Sequence, residues 1–194
     1  QGVLILSPQG MLPEGDQYQN VFQSGYLLGE TINFENGVFN HGDFIELDRG
    51  FDFYAPQTME DPSGRRLLVG WLGLPEIDCV TEPSNWAHCL TLPRELSIEN
   101  GKLIQRPIKE LEALRSHRTE AQTTLDCEEK SLIGFNGTTY ELNCQFSELT
   151  GGKVGVKLRT SATEETVFYY DLSNKKLVLN RENSGKICGE EYGS

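Results

Sequence analysis

Residues 47–96, which read LDRGFDFYAPQTMEDPSGRRLLVGWLGLPEIDCVTEPSNWAHCLTLPREL, decide the fold of this chain. They contain runs rich in aromatic and branched aliphatic residues at Phe51–Thr58, Arg65–Gly73 and His88–Leu96. Turn-forming residues separate these runs at positions 61–64 (DPSG) and 81–85 (TEPSN). Short runs that are bounded in this way predict β-strands joined by turns.

Polar and aromatic side chains lie at or near the ends of these three runs. They are Asp48, Asp52, Tyr54, Gln57, Trp71, Glu76, Trp86 and His88. Carboxylates and amides bind hydroxyl groups, and aromatic rings lie against the apolar faces of sugar rings. The stretch therefore predicts one wall of a pocket that binds a carbohydrate.

The chain before and after this stretch continues the pattern of short strands. Val3–Leu6 is a continuous apolar run, as expected for a strand buried on both faces. Further strands are predicted at Gly25–Ile32 and Asp43–Leu47, and tight hairpin turns at Asn36-Gly37 and Asn100-Gly101. Such a succession indicates an all-β protein, and the pattern alone leaves a sandwich, a barrel and a propeller open.

The second half of the chain begins with its one helical candidate, Pro107–Arg115, which we interpret as a linker between domains. Residues 153–158 alternate, with Val154, Val156 and Leu158 on one face, as in a half-buried strand. The pattern predicts a second, antiparallel domain. Its strand candidates are Lys130–Phe135, Thr139–Phe146, Lys153–Thr160, Thr166–Leu172 and Lys176–Asn180.

Composition narrows the class of protein. The 194 residues carry a formal net charge of −12, which argues against nucleic acid and anionic membranes as partners. No apolar run approaches the roughly 20 residues that span a bilayer, and no basic segment precedes Val3–Leu6. The five cysteines are an odd number without a CxxC pair (Cys79, Cys89, Cys127, Cys144 and Cys188). We therefore predict a cytoplasmic protein with reduced thiols, without a metal site and without a cofactor.

Four segments carry a family resemblance. DFYAPQT, GRRLLVGWLG, WAHCLTLPREL and KLIQRPIKELEALR, in this order, resemble glycoside hydrolase family 32. The resemblance extends from about Val3 to Arg115 and is weak beyond Thr119. It implies that residues 1–106 form the later blades of a five-bladed β-propeller and that 107–117 form a linker. Residues 118–194 would then form part of a C-terminal β-sandwich.

The resemblance also implies a reaction. Members of this family cleave β-fructofuranosyl bonds, as in sucrose or sucrose 6-phosphate, with retention through a covalent fructosyl-enzyme intermediate and without a cofactor. Retaining glycosidases use two carboxyl groups as nucleophile and acid/base. The family carries its acids in Trp-Met-Asn-Asp-Pro, Arg-Asp-Pro and Glu-Cys motifs, and none of these occurs in residues 1–194. We therefore expect an internal piece of a longer enzyme that begins just after its acid/base, is inactive by itself and tends to self-associate.

Four positions match substrate contacts of the family. Trp71 matches a tryptophan beside the sugar, and Tyr54 matches a strand that points into the active-site funnel. Packing is the alternative role for both. Asp48 and Asp52 lie near an acid that binds the glucosyl side of the substrate, and which of them corresponds is open. Trp86 and His88 are expected to shape the last blade, and Glu95 is expected to form a local ion pair.

The sequence leaves two alternative functions open. One is a fructan hydrolase or fructosyltransferase of the same family, and the other is a non-catalytic carbohydrate-binding module. Paired arginines at Arg65-Arg66 are a candidate for binding a substrate phosphate, although arginines at a turn are usually solvated. The predicted partner is a small-molecule sugar, sucrose or sucrose 6-phosphate.

Overall fold

The computed structural model describes residues 1–74 and 81–185. Three residues named from the sequence lie outside the described residues: Glu76, Cys79 and Cys188. The backbone divides into two compact units, built on residues 1–109 and 110–185. Nearly all of the regular structure is antiparallel β-sheet, as predicted. Within the described ranges, no helix combines the length and the apolar character needed to cross a membrane.

The first sheet of the unit 1–109 contains β1 (Gly2–Leu6), β2 (Gly25–Gly29) and β3 (Ile45–Glu46) in that order. Strand β1 was expected to be buried on both faces, and this was wrong, because Leu4 is 42% exposed. In the described part of the chain β1 pairs with β2 alone, so it lies at an edge of the sheet. An edge strand buries less of its apolar surface than a central one.

The second sheet contains β4 (Tyr54–Glu60), β5 (Arg66–Leu72), β7 (Arg94–Glu99) and β8 (Lys102–Pro107) in that order. A short strand β6 (Cys89–Leu90) also pairs with β5. The predicted strands over residues 51–58 and 65–73 are therefore confirmed with shifted ends. The Asn100-Gly101 hairpin is confirmed too, since both residues have the positive φ of a tight hairpin turn, 51° and 71°.

The third predicted strand, His88–Leu96, is split into β6 and β7 by residues 91–93. Pro93 has no N–H group to donate to a neighbouring strand. Thr91 holds the interrupted segment to Gly70 instead: its N–H donates to the Gly70 carbonyl at 2.8 Å, and its Oγ1 accepts from the Gly70 N–H at 3.0 Å. The break therefore leaves the segment beside β5.

A small core joins the two sheets. Its buried members are Tyr26, Leu47, Phe53 and Leu68, with Val3, Ile5, Leu28, Leu96 and Leu103 packed against them. Leu68 is fully buried, and burial of a leucine side chain contributes about 1.5–3 kcal/mol. Two hydrogen bonds fix the same junction, because the Leu103 N–H donates to the Tyr26 hydroxyl at 3.4 Å and Gln105 Nε2 donates to the Leu47 carbonyl at 2.6 Å.

The helix predicted over Pro107–Arg115 is a short 3₁₀ helix, Lys109–Leu114, and Pro107 is the last residue of β8. The Ile108 N–H donates to the Pro93 carbonyl at 3.2 Å. This bond holds the chain to the sheet for one residue beyond β8, so the helix starts later than predicted. Six residues without a buried side chain lack the packing that would stabilise a regular α-helix. A second 3₁₀ turn, Glu82–Ser84, lies within a predicted turn.

The unit 110–185 contains one sheet, with β9 (Lys153–Leu158), β10 (Thr166–Asp171) and β11 (Lys176–Asn180) in the order β11-β10-β9. These are three of the predicted strands. The predictions at Lys130–Phe135 and Thr139–Phe146 were wrong, because residues 116–150 contain no strand. A strand needs a partner, and no described strand pairs with this segment.

Candidate substrate-binding site

Four aromatic and imidazole rings meet at the ends of β4, β5 and β6. Tyr54 and Trp71 are direct neighbours across β4 and β5, and their ring centroids lie 6.5 Å apart. The Tyr54 ring also contacts Phe22, with centroids 5.2 Å apart, and Trp71 meets His88 edge to face at 5.0 Å. We call Phe22, Tyr54, Trp71 and His88 the aromatic cluster. The two aromatic residues predicted to bind substrate are thus brought together.

Local backbone features hold the cluster in place. The pairing of β4 with β5 shifts register between Tyr54 and Gln57, and Ala55 has φ 44°. His88 has φ 61°, which is uncommon for a residue with a side chain. Such left-handed residues cost about 1–3 kcal/mol and persist where the surrounding structure fixes them. Bulges re-aim side chains at sheet ends, and the register shift after Tyr54 lies at the end of β4 where Tyr54 meets Trp71.

Gly73 makes room for two members of the cluster. A Cβ atom at this buried position would lie 2.0 Å from His88 Nδ1 and 2.6 Å from Trp71 Nε1. Both distances are far shorter than a normal contact. The edge-to-face packing of Trp71 and His88 therefore requires glycine at position 73.

Gln9 and Phe22 belong to the site but were not predicted. Gln9 lies three residues after the end of β1, and its Nε2 donates to the Tyr54 hydroxyl at 3.4 Å. Phe22 lies in a loop before β2. Neither position carries a local sequence signal, because both reach the cluster through the packing of the first sheet against the second.

The contacts of Asp48 are with Arg94 and the Gly50 backbone rather than with the aromatic cluster. Its Oδ2 forms an ion pair with Arg94 Nη1 at 2.8 Å, and its Oδ1 accepts the Gly50 N–H at 2.7 Å. Arg94 also donates to Gln105 Oε1 at 2.9 Å and lies over the Phe53 ring at 4.8 Å. The carboxylate thus has structural partners on β7, and contact with a substrate stays a prediction for Asp48.

The remaining predicted positions are spread around the cluster. Asp52 is half-buried and lies between Phe51 and Phe53, just before β4, and its role also stays a prediction. Gln57 is exposed, with its Nε2 directed to the Ala55 carbonyl at 3.5 Å. Trp86 is 53% exposed, and its carbonyl accepts the Thr81 hydroxyl at 2.8 Å.

The arginines considered for phosphate binding are paired with acids. Arg65 forms ion pairs with Asp61 at 2.7 Å and with Glu95 at 3.7 Å, and Arg66 pairs with Glu60 at 3.1 Å. Glu95 does form an ion pair, but its partner is Arg65, 30 residues earlier in the chain, and not a local one as expected. Hydrogen bonds from the Ser63 hydroxyl and from the backbone and side chain of Arg65 lower the pKa of Asp61 and close the turn between β4 and β5. These contacts stabilise the turn.

Two other features lie apart from the cluster. An open concavity of about 700 Å³ borders β2, and its lining residues are Gln1, Leu28, Gly29, Glu30, Thr31, Asn40, His41 and Gly42. None of the substrate-binding candidates lines it. Among the described residues, His, Cys, Asp and Glu side chains do not form a group of three or more that could hold a metal ion.

Comparison with known proteins identifies the family. Residues 1–107 match the model of the glycosyl hydrolases family 32 N-terminal domain, and residues 110–193 match the family 32 C-terminal model. A sucrose-6-phosphate hydrolase of Staphylococcus xylosus is 44% identical over 185 residues, which are 95% of this chain and 37% of that protein.

Solved structures agree with the sequence comparison. The sucrose-6-phosphate hydrolase of Lactobacillus gasseri superposes with a TM-score of 0.73 at 26% identity, over 98% of this chain and 39% of that one. A β-fructofuranosidase variant of Bombyx mori in complex with sucrose gives a TM-score of 0.55 at 37% identity, over 59% of this chain and 25% of that one. This chain spans less than two fifths of the length of these relatives. Its sequence, its all-β fold and its two matched domains show that it belongs to glycoside hydrolase family 32.

Proposed function

We propose that the chain is part of a β-fructofuranosidase that cleaves sucrose 6-phosphate or sucrose with retention, through a covalent fructosyl-enzyme intermediate. Two findings about relatives support this proposal. The Staphylococcus xylosus relative is a sucrose-6-phosphate hydrolase, and the Bombyx mori relative is a β-fructofuranosidase seen with sucrose. The acidic charge of the chain fits a cytoplasmic enzyme that acts on a small sugar.

The aromatic cluster is the observation that carries the role of this chain. Tyr54 and Trp71 present neighbouring rings on paired strands, and both residues are half-buried, so part of each remains accessible. A sugar ring stacks on such a surface because its C–H face is apolar, while phenol and indole groups at the edge bind its hydroxyls. We propose that these two rings form a wall of the sugar pocket.

Because the chain lacks the three acidic motifs of the family, we assign it structural and substrate-binding parts of the enzyme. Residues 1–106 would supply propeller blades and the aromatic wall, 107–117 a linker, and 118–194 part of the sandwich. The nucleophile, the acid/base and the acid that binds the transition state would come from the rest of the full-length protein. Cleavage by two carboxyl groups needs no cofactor.

The test compares two tryptophans of the full-length protein. Trp71→Ala should lower kcat/KM at least about 5-fold, equivalent to about 1 kcal/mol of transition-state binding, because a stacking wall is lost. Trp86→Ala is the matched control, since Trp86 is 53% exposed, and it should leave kcat/KM unchanged. Equal effects of the two substitutions would assign Trp71 to packing.

The substrate is identified by running sucrose 6-phosphate and sucrose side by side. Preference for the phosphorylated sugar would identify a sucrose-6-phosphate hydrolase, and equal rates would identify a general invertase. Release of sugar from levan or inulin alone would support a fructan-degrading enzyme instead. No release from any of them would overturn the proposal.

A further inference from the structure

Gln9 is a polar residue that contacts the aromatic cluster and has no function assigned to it so far. Its Nε2 donates to the Tyr54 hydroxyl at 3.4 Å, across 45 residues of sequence. Gln9 is exposed and Tyr54 is half-buried, so both ends of this hydrogen bond can be reached by a ligand. Holding an exposed glutamine side chain in one conformation costs conformational entropy. The hydrogen bond to Tyr54 therefore distinguishes Gln9 from a freely solvated glutamine.

The segment that carries Gln9 has a firm base. Ser7 Oγ lies 3.0 Å from Ser24 Oγ, and Ser24 is only 3% exposed. The Ser24 carbonyl accepts the Leu47 N–H at 2.9 Å. Gly10, with φ 78°, then turns the chain away. A short segment that is anchored at Ser7 thus presents Gln9 beside Tyr54.

The hydrogen bond between Gln9 and Tyr54 determines which of their groups remain for a ligand. A phenol has one O–H to donate and two acceptor positions, and a carboxamide has two N–H groups and one carbonyl oxygen. When Gln9 donates one N–H to the Tyr54 oxygen, the Tyr54 proton turns to another acceptor. The Gln9 carbonyl and its second N–H also remain for a ligand.

This arrangement is complementary to a sugar hydroxyl. A hydroxyl is both donor and acceptor, so it can accept the Tyr54 proton and donate to the Gln9 carbonyl. Phe22 packs against the Tyr54 ring with centroids 5.2 Å apart and so restricts where the phenol points. The Trp71 ring, 6.5 Å from Tyr54, supplies the apolar surface.

We infer that Gln9 is a further specificity-determining residue, which binds a sugar hydroxyl together with the Tyr54 phenol while the sugar ring lies against Trp71. The inference rests on the proposed function for the existence of a sugar site at the aromatic cluster. It adds a residue to that site and states which polar group of the ligand is recognised there.

The test is Gln9→Ala in the full-length protein, with Gln19→Ala as the matched control. Gln19 is an exposed glutamine of the same region whose Nε2 donates to the backbone carbonyls of Gly15 and Gln17, at 2.7 and 3.4 Å. Gln9→Ala should raise KM by about 2- to 12-fold at nearly constant kcat, the range that one ordinary hydrogen bond supplies. Gln19→Ala should change neither constant, and both variants should keep the wild-type Tm.

A double-mutant cycle with Tyr54→Phe separates binding from packing. Because the two groups bind the same hydroxyl, Gln9→Ala should have little further effect once the phenol is removed. Full additivity, an unchanged KM, or a fall in Tm in place of a rise in KM would overturn the inference.

Equilibrium binding of sucrose and fructose to the same proteins distinguishes this inference from the proposed function. Turnover of sucrose by the wild type with no effect of Gln9→Ala would refute the role of Gln9 alone. Sugar binding that Gln9→Ala weakens, without any turnover, would refute the enzyme and keep the role of Gln9. Neither turnover nor binding would refute both.

Discussion

Gly73→Ala is the substitution that tests the aromatic cluster most directly. The added methyl group would lie 2.0 Å from His88 Nδ1 and 2.6 Å from Trp71 Nε1, so neither ring can stay where it is. Position 73 has no positive φ that would itself penalise alanine. The effect of the substitution is therefore a displacement of the two rings.

The size of the displacement follows from these distances. A tight contact of a Cβ atom is 3.0–3.4 Å, so the His88 ring must move by about 1.0–1.4 Å and the Trp71 indole by about 0.4–0.8 Å. Overpacking of this kind costs about 1–3 kcal/mol of stability. A misplacement of about 1 Å in a group that orients a substrate can cost about 100-fold in rate. We expect kcat/KM of the full-length protein to fall by about 10- to 100-fold.

The assay is sugar release with either sucrose substrate, together with thermal unfolding and the fluorescence of the folded protein. Gly42→Ala is the matched control, since its Cβ would find its nearest neighbour, the Leu28 carbonyl oxygen, at an ordinary 3.8 Å. The control should keep the activity and the Tm of the wild type. If Gly73→Ala behaved like Gly42→Ala in all three measurements, the packing of Trp71 and His88 described above would be refuted.

Three further predictions concern stability and association. Leu68→Ala should lower the free energy of unfolding by about 2–5 kcal/mol, whereas Leu92→Ala, at a site that is 65% exposed, should change it by less than about 0.5 kcal/mol in denaturant titration. Hydrogen bonds from Arg106 and from Ser97 lower the pKa of Glu99 from 4.5 to about 2, so their stabilisation is present above pH 4.5 and is lost as the pH falls towards 2. Glu99→Gln should remove that part of the pH dependence of Tm, and an unchanged profile would contradict it. Because apolar side chains between residues 125 and 149 are exposed, the 194-residue chain should self-associate in light scattering, and a stable monomer at high concentration would contradict this.

Local sequence patterns predicted the parts of the fold that local physics decides. The β7–β8 hairpin follows from Asn100-Gly101, because a two-residue hairpin turn needs positive φ at both positions and these residues tolerate it. The alternation at 153–158 likewise predicted β9, since one face of that strand is covered and the other is not. In both cases the signal and its structural cause lie within a few residues of each other.

The errors arise where pairing with a distant segment decides the structure. Residues 130–135 and 139–146 have the composition of strands, but without a partner their backbone groups gain nothing from an extended conformation. The split of the third run at Pro93 has the same origin, because the substitute bonds of Thr91 go to Gly70 on another strand. Such contacts depend on register, which the composition of a single run does not fix.

The candidate site repeats this contrast with Asp48. Asp48 and Tyr54 both lie near the ends of strands, and this position predicted a substrate contact for each of them. The structure gives its carboxylate an ion pair with Arg94 and a backbone N–H from Gly50, and Arg94 is itself held by Gln105. Hydrogen bonds to charged groups contribute about 1.5–3 kcal/mol each, so a sugar hydroxyl would have to compete with both contacts of Asp48. The contact of Tyr54 with Gln9 uses the phenol oxygen as acceptor, and within residues 1–74 and 81–185 no hydrogen bond takes up the phenol proton. The chemistry of a side chain can therefore be predicted from sequence, whereas its availability to a ligand depends on partners that only the folded chain brings near.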